Sequence, residues 1–211
     1  MSASGNPFLA AIESRISCYS LTKTSPIPDS RLQEIVNTVI QHTPSPFNVQ
    51  SARAVVLLHD NHDAFWDTAD ARVKESVPEA VYQALSQRIA GFKAAYGSVL
   101  FFEDQGALEE LGSKNASVQH MLAEGSHHSS GMHQFAVWTA LELEGLGCNL
   151  QHYNFLPSIV DAVKEKWNLP STWALHAQLV FGAPDEAAGG LVRKRERTYL
   201  PLEERVRVLG A

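Results

Sequence analysis

The chain has 211 residues, 45% of them apolar and 19% charged, which are the proportions of a globular protein able to bury its own core without disulfide or metal staples. Acidic residues outnumber basic ones by 23 to 17, and the net charge of −6 repels a polyanion, so nucleic acid is not an expected partner. No apolar run approaches the length of a bilayer span and no basic-then-apolar leader opens the chain. A soluble, cytoplasmic single domain over residues 1–211, with no membrane partner, is therefore expected. Cys18 and Cys148 are the two cysteines, far apart and without metal-ligand spacing, which argues against a disulfide framework and a zinc site and fits a reducing compartment.

Ser30-Arg31-Leu32-Gln33 has the form of a capping box, and Leu32, Ile35, Val36, Val39 and Ile40 then recur at helical spacing. A helix from Ser30 to about His42 is expected, stopped by Thr43-Pro44-Ser45-Pro46. Arg53 to His59 is a short apolar, β-branched run closed by Asp60-Asn61, as suits a strand buried on both faces, and Ser98 to Phe102 is a second strand. Between them, Val81, Leu85, Ile89 and Phe92 step through Val77–Tyr96 as a core-facing helix would.

The stretch from Met132 to Glu144 is apolar nearly all round, which predicts the most buried helix of the protein, stopped by Gly145 and Gly147. Ile159, Val160, Val163 and Trp167 mark a shorter helix ended by Pro170. Leu175, Ala177, Leu179 and Phe181 alternate on one face of a strand from Trp173 to Phe181, and Arg205 to Leu209 forms a last strand candidate.

Gly145-Leu146-Gly147 superficially resembles the start of a dinucleotide fingerprint. It follows a helix and has Leu150 where the third glycine would stand, so a helix stop is the plain reading. His120, His127, His128 and His133 crowd together with Ser126, Ser129 and Ser130. Adjacent histidines among glycine and serine point to an exposed loop, against the alternatives of a metal site or a serine nucleophile, and no Gly-x-Ser-x-Gly elbow is present. Arg193, Lys194, Arg195 and Arg197 form the one dense basic run, either a solvated surface or an anion site whose guanidinium forks grip phosphate, with Arg15 as a possible second fork.

Three segments together resemble the nitroreductase family, specifically its fatty-acid-repression-mutant-like group. They are Ser14-Arg15-Ile16-Ser17-Cys18-Tyr19-Ser20-Leu21, the run from Thr43 to Arg53, and the long stretch from Ser129 to Leu141 continued by Glu144 to Asn154. Tyr199 to Val206 matches the group's ending, so the resemblance spans nearly the whole chain. One departure is Ile16, which stands where the group carries a second arginine.

The resemblance implies an α+β fold with a central, mostly antiparallel sheet flanked by helices. It also implies a homodimer with a domain-swapped C-terminal segment and FMN at its interface. By the same resemblance Arg15, Ser17, Arg195 and Arg197 hold the FMN phosphate, Asn48 and Gln50 bond the polar edge of the ring, and Ser45 and Phe47 shape that wall. Gly145, Leu146 and Gly147 gain a second reading, as backbone that approaches the flavin closely because the glycines lack side chains.

The expected activity is oxidation of NADH or NADPH with reduction of a small aromatic electron acceptor, nitroaromatic or quinone-like, by a ping-pong two-electron mechanism with no catalytic acid or base. A flavin-binding regulatory module with little turnover, in lipid or redox signalling, is the alternative. A metal-dependent hydrolase built on the histidines is a third.

Overall fold

The computed structural model describes residues 5–192 and 196–210. In chain order the elements are α1 (Pro7–Ser14), β1 (Leu21–Thr22), α2 (Asp29–His42), β2 (Ala52–Leu58), α3 (His59–Ser76), α4 (Glu79–Lys93), β3 (Gly97–Asp104), α5 (Gln105–Lys114), α6 (Gln119–Leu143), β4 (Gly147–Gln151), α7 (Pro157–Lys166) and β5 (Trp173–Pro184).

β5 is the spine of an antiparallel sheet. β3 runs along one side of it and β4 along the other, β2 lies outside β3, and β1 pairs with the end of β5 through Leu21–Pro184 and Thr22–Ala183. β3, covered on both faces, is buried from Gly97 to Glu103, which is why its sequence is a continuous apolar run.

Two apolar layers sandwich the sheet. On one face Leu32, Ile35 and Val36 of α2 and Val137 and Leu141 of α6 pack on Val99, Phe101, Leu179 and Phe181. On the other, Phe65, Trp66, Ala69 and Val73 of α3, Ile89 and Phe92 of α4, and Ile159 and Val163 of α7 pack on Leu100, Phe102 and Val180. Trp66 is fully buried, edge-on to Phe65 and Tyr153, with its indole N–H donated to Ser98 Oγ at 3.1 Å. Cys18 belongs to the second layer and Cys148 to the first, the Cys18 N–H donates to the Cys148 carbonyl at 2.8 Å, and neither thiol is in a disulfide.

Several expectations change. α2 starts at Asp29, after Pro28, with no side-chain cap, so Ser30 lies inside the first turn and the capping box does not form. The Asp29 carboxylate instead accepts from Tyr96 Oη at 2.5 Å and His59 Nε2 at 3.0 Å, which spends it on tertiary contacts. β2 is an edge strand in which Leu57 alone is buried, and His59 to Asn61 open α3 rather than closing a turn.

α3 was not expected at all. Phe65, Trp66, Ala69 and Val73 carry its buried stripe, diluted among acidic and basic residues that keep its outer face in water. On α4, Ile89 and Phe92 are buried while Val81 is exposed. β5 contains a bulge at His176: Phe101 faces Ala177 and Phe102 faces Leu175, so Leu175 turns to the opposite layer from Ala177, Leu179 and Phe181.

The supposed histidine and serine loop is the first half of the 25-residue α6, with Ser126, Ser129, Ser130 and His133 buried and serine hydroxyls bonded back to carbonyls one turn earlier. The expected last strand does not form. Leu202–Glu204 is a short 3-10 turn, and Val206, Val208 and Leu209 stand exposed with no strand beside them among the described residues.

Candidate functional site

The expected site residues fall into two groups set on one helix. The first group gathers at the C-terminal end of α6. Trp138 and Glu142 are one turn apart, and the Trp138 indole N–H donates to Glu142 Oε1 at 3.0 Å. The Ile16 N–H donates to the same carboxylate, at 3.1 Å to Oε2 and 3.3 Å to Oε1, which pins the segment Arg15-Ile16-Ser17 against the helix. The Arg15 guanidinium then lies 4.2 Å over the Trp138 ring, a cation–π contact.

Arg197 arrives from the far end of the chain. It donates to the carbonyl of Glu13 at 3.3 Å and to that of Arg15. Two guanidinium groups are thereby brought beside one carboxylate. Burial raises the Glu142 carboxyl above its ordinary range, while the Trp138 and Ile16 hydrogen bonds and the Arg15 and Arg197 charges oppose that rise. Ser17 is exposed next to this cluster, and Arg195 lies outside the described residues.

The chain leaves α6 through Gly145, whose φ of 87° belongs to the left-handed region that glycine tolerates. A Cβ at Gly145 would meet little, the nearest atom being Pro26 Cγ at 3.9 Å, so this backbone is open to a close approach. Gly147 is different. A Cβ there would stand 2.7 Å from Leu21 Cδ2 and 3.0 Å from Cys18 Sγ, so its bare backbone serves the packing of β4 against β1. Leu146 is fully buried in the α2/α6 layer.

The second group is the turn from Ser45 to Gln50. Phe47, Asn48 and Gln50 all have positive φ, at 52°, 54° and 51°. Asparagine tolerates that region, but phenylalanine and glutamine adopt it at a cost of about 1–2 kcal/mol each. The turn is held by its own bonds and by its seat: the Gln50 N–H donates to Ser45 Oγ at 2.9 Å, and Asn48 N to the Ser45 carbonyl at 3.0 Å. Arg53 Nη1 donates to the Gln50 carbonyl at 2.7 Å. Phe47, Asn48 and Gln50 present exposed side chains from this braced backbone.

Pro46 rests on Gly125 of α6, where a Cβ would come within 2.5 Å of Pro46 Cγ. Gly125→Val should therefore push the turn off its seat and cost about 1–3 kcal/mol of stability, as overpacking does. Urea unfolding would check this, and a variant as stable as the parent would show that the turn has slack at Pro46.

Along α6, Gly125 and Glu142 are separated by about 25 Å at the rise of an α-helix. The basic cluster and the strained turn therefore stand at opposite ends of that helix in one chain. Between them runs an apolar groove of about 480 Å³ lined by Phe8, Ala11, Pro44, Met132, Phe135 and Leu143, among others. Met132 is 42% exposed and Leu143 70%, so the helix expected to be the most buried leaves an apolar flank uncovered.

Sequence reasoning named Arg15, Ser17, Arg197 and the Ser45–Gln50 turn, but it missed Trp138, Glu142 and Arg53, which hold them. Trp138 and Glu142 were legible as an i, i+4 pair. The partner of Glu142 is a backbone N–H far away in the chain, which spacing does not reveal. Among the described residues no group of three or more His, Cys, Asp or Glu is placed to hold a metal ion, and the His127 ring lies 5.0 Å from that of His176.

The fold and the matched sequence place the chain in the nitroreductase family, whose sequence profile matches residues 12–183. A curated relative, the nitroreductase FRM2 of Saccharomyces cerevisiae, is 36% identical over 188 residues, covering 87% of this chain and 91% of the relative. The nitroreductase CinD of Lactococcus lactis, solved in complex with chloramphenicol, is similar with a TM-score of 0.83 and 32% identity over 96% of this chain and 99% of that one. A putative nitroreductase of Desulfovibrio desulfuricans, solved in complex with FMN, shares the fold at a TM-score of 0.64 and 19% identity over 99% of each chain.

Proposed function

We propose that the protein is a homodimeric, FMN-dependent oxidoreductase that takes two electrons from NADH or NADPH and passes them to a nitroaromatic or quinone-like acceptor in a ping-pong cycle. A reducing cytoplasm is the compartment that suits two buried cysteines outside any disulfide. The observation that carries the reading is the arrangement on α6. A basic cluster suited to a phosphate and a braced polar turn suited to a ring edge stand about 25 Å apart on one helix, with an uncovered apolar flank between them.

Two copies packed in opposite senses through that flank set the turn of one beside the basic cluster of the other, so each site draws on both chains. The exposed Tyr199, Leu200, Val206, Val208 and Leu209 fit the same arrangement, as an arm whose apolar side chains and backbone groups find partners on the second copy.

The donor set suits FMN. Arg15, Arg197 and Arg195 supply charge to the phosphate and Ser17 a hydroxyl. Asn48 and Gln50 offer amides to the carbonyl and imide edge of the ring, with Ser45 and Phe47 forming the wall. Gly145 offers the open backbone for a close approach to the ring, whereas Leu146, fully buried with its N–H on the Leu141 carbonyl, serves the α2/α6 packing. Gly147 contributes indirectly, by letting β4 pack on Cys18 and Leu21. When bound, FMN supplies the two-electron chemistry, and the protein binds, orients and excludes water, so no side chain is assigned as acid or base. CinD has also been solved with 4-nitrophenol, which supports a small aromatic acceptor for this chain.

The deciding experiment is an absorbance spectrum of the purified protein from about 300 to 550 nm, taken without oxygen before and after NADH or NADPH, an arrangement that reads the flavin's own redox state. Flavin bands that bleach, and return on adding a nitroaromatic, are the expected result. Bands that persist would point to a regulatory flavin module, and protein that stays colourless after incubation with FMN would end the flavin reading.

A further inference from the structure

Glu103 is a buried acid that the proposed chemistry does not use. It is fully buried on β3, between Ala52 of β2 and Ala174 of β5. Its Oε2 accepts from Ser51 Oγ at 2.5 Å, whereas its Oε1 is buried with no hydrogen-bond partner. A carboxyl in such a place is costly, and a well-packed apolar side chain would be cheaper, so its presence calls for a role in what it touches.

What it touches is the end of the strained turn. Ser51, fully buried, follows Gln50 directly, and its carbonyl accepts from the Asp104 N–H at 2.8 Å. Arg53 closes the clamp, with Nη1 on the Gln50 carbonyl at 2.7 Å and Nη2 on Asp104 Oδ2 at 2.9 Å.

We propose that Glu103 is a positioning residue for the Ser45–Gln50 turn, holding through Ser51 the left-handed residues in the arrangement that faces the flavin ring. The second half of that statement rests on the FMN reading above. Left-handed Phe47 and Gln50 relax toward ordinary backbone unless both ends of the turn are fixed. Ser45 and the Gly125 seat fix one end, and Ser51 on Glu103 fixes the other.

The clamp is also sensitive to protonation. Burial outweighs the Ser51 bond and the Arg53 charge and lifts the Glu103 carboxyl to about 7. Arg53 on β2 is the charge felt there, and it is shared with Asp104, the next residue on β3. On β5 the nearest titratable group in the strand is His176, its ring turned to His127 of α6, and α5 begins with Gln105, whose Nε2 donates to the Glu103 carbonyl at 3.4 Å. Loss of the proton strengthens the bond from Ser51 but leaves a buried anion that competes with the Gln50 carbonyl for Arg53, and through this competition the turn loosens.

Amide hydrogen exchange of residues 45–51 tests this on the full-length protein, compared among wild type, Glu103→Gln and Glu103→Leu at pH 6 and pH 8. Rates are corrected for intrinsic exchange, and circular dichroism and an FMN titration are run on the same samples. Glutamine keeps an acceptor for Ser51 without the charge, so that variant should protect the turn equally at both pH values. Wild type should exchange faster at pH 8 than at pH 6, and the leucine variant about tenfold faster than the glutamine variant at both, the scale of one lost buried hydrogen bond.

Equal exchange at residues 45–51 in all the folded proteins at both pH values would overturn the proposal. If the leucine variant does not fold, the wild-type pH step and its absence in the glutamine variant decide alone. A turn that responds as expected in a protein that binds no FMN would keep the positioning role and remove the flavin reading.

Discussion

Glu103→Gln should make the protein more stable at pH 8, by about 2 kcal/mol, although it replaces a native residue that makes a hydrogen bond. The carboxyl is lifted from an ordinary value of 4.5 to about 7, chiefly by burial, so the folded chain binds its proton more tightly than the unfolded chain does. The stability this proton contributes is fully present below about pH 4.5 and is lost as pH rises through about 7. A shift of that size corresponds to about 3 kcal/mol, part of which the glutamine forfeits because its amide also lacks a partner at the Oε1 position.

His62 opposes this. Its Nδ1 is 3.0 Å from Ser98 Oγ and its Nε2 3.1 Å from the Phe92 carbonyl, and burial pushes it down to about 4 from an ordinary 6.5. Its contribution is present above about pH 6.5 and is lost as pH falls through about 4. Between pH 4.5 and 6.5 the two groups tilt stability in opposite directions, so wild type should be nearly level there, and Glu103→Gln should reveal a decline of about 3 kcal/mol toward acid. Urea unfolding at intervals from pH 4.5 to 8 measures this. A glutamine variant less stable than wild type at pH 8 would show that the carboxyl is better accommodated than its burial and orphan oxygen imply.

The second large effect concerns flavin affinity. Arg15→Ala and Arg197→Ala should each weaken FMN binding by about 1.5–3 kcal/mol, the worth of a charge-assisted hydrogen bond to phosphate. The two changes should not add simply, because Arg197 donates to the Arg15 carbonyl and its loss also loosens the partner. Arg15→Lys should recover only part of the loss, since lysine keeps the charge but neither the planar fork nor the same stacking 4.2 Å over Trp138. Fluorescence titration of the flavin-free protein with FMN reads all three, and a double alanine variant that purifies with full yellow stoichiometry would move the phosphate elsewhere.

Much of the fold is legible in the sequence. The α2 stripe, the apolar run of β3, the stop at Gly145 and the short α7 follow from spacing and from glycine and proline chemistry, which act within a few residues of the chain. The family resemblance rested on local strings of residues and held for the same reason. The misreadings share a cause as well. Ser126, Ser129 and Ser130 looked like loop residues because hydroxyls compete with helix bonds, yet they are buried on α6, where Ser126 and Ser129 donate to carbonyls one turn earlier and Ser130 Oγ accepts from the Gln134 amide. At His176 one extra residue moved Leu175 into the other layer, and alternation alone could not register it.

The sequence by itself therefore determined the elements with strong periodicity, the family, and the identities of Arg15, Ser17, Arg197 and the Ser45–Gln50 turn as residues to consider. The tertiary structure alone decided that Ile16 is tied to Glu142, that Pro46 rests on Gly125, and that Ser51 hangs from Glu103. It also decided that the two halves of the proposed site stand at opposite ends of α6. Periodicity reports how a segment shares its side chains between core and water, a local property. Which backbone group meets which side chain more than a hundred residues away depends on the packing of the whole sheet and its two helical layers, and that is settled only when the chain has folded.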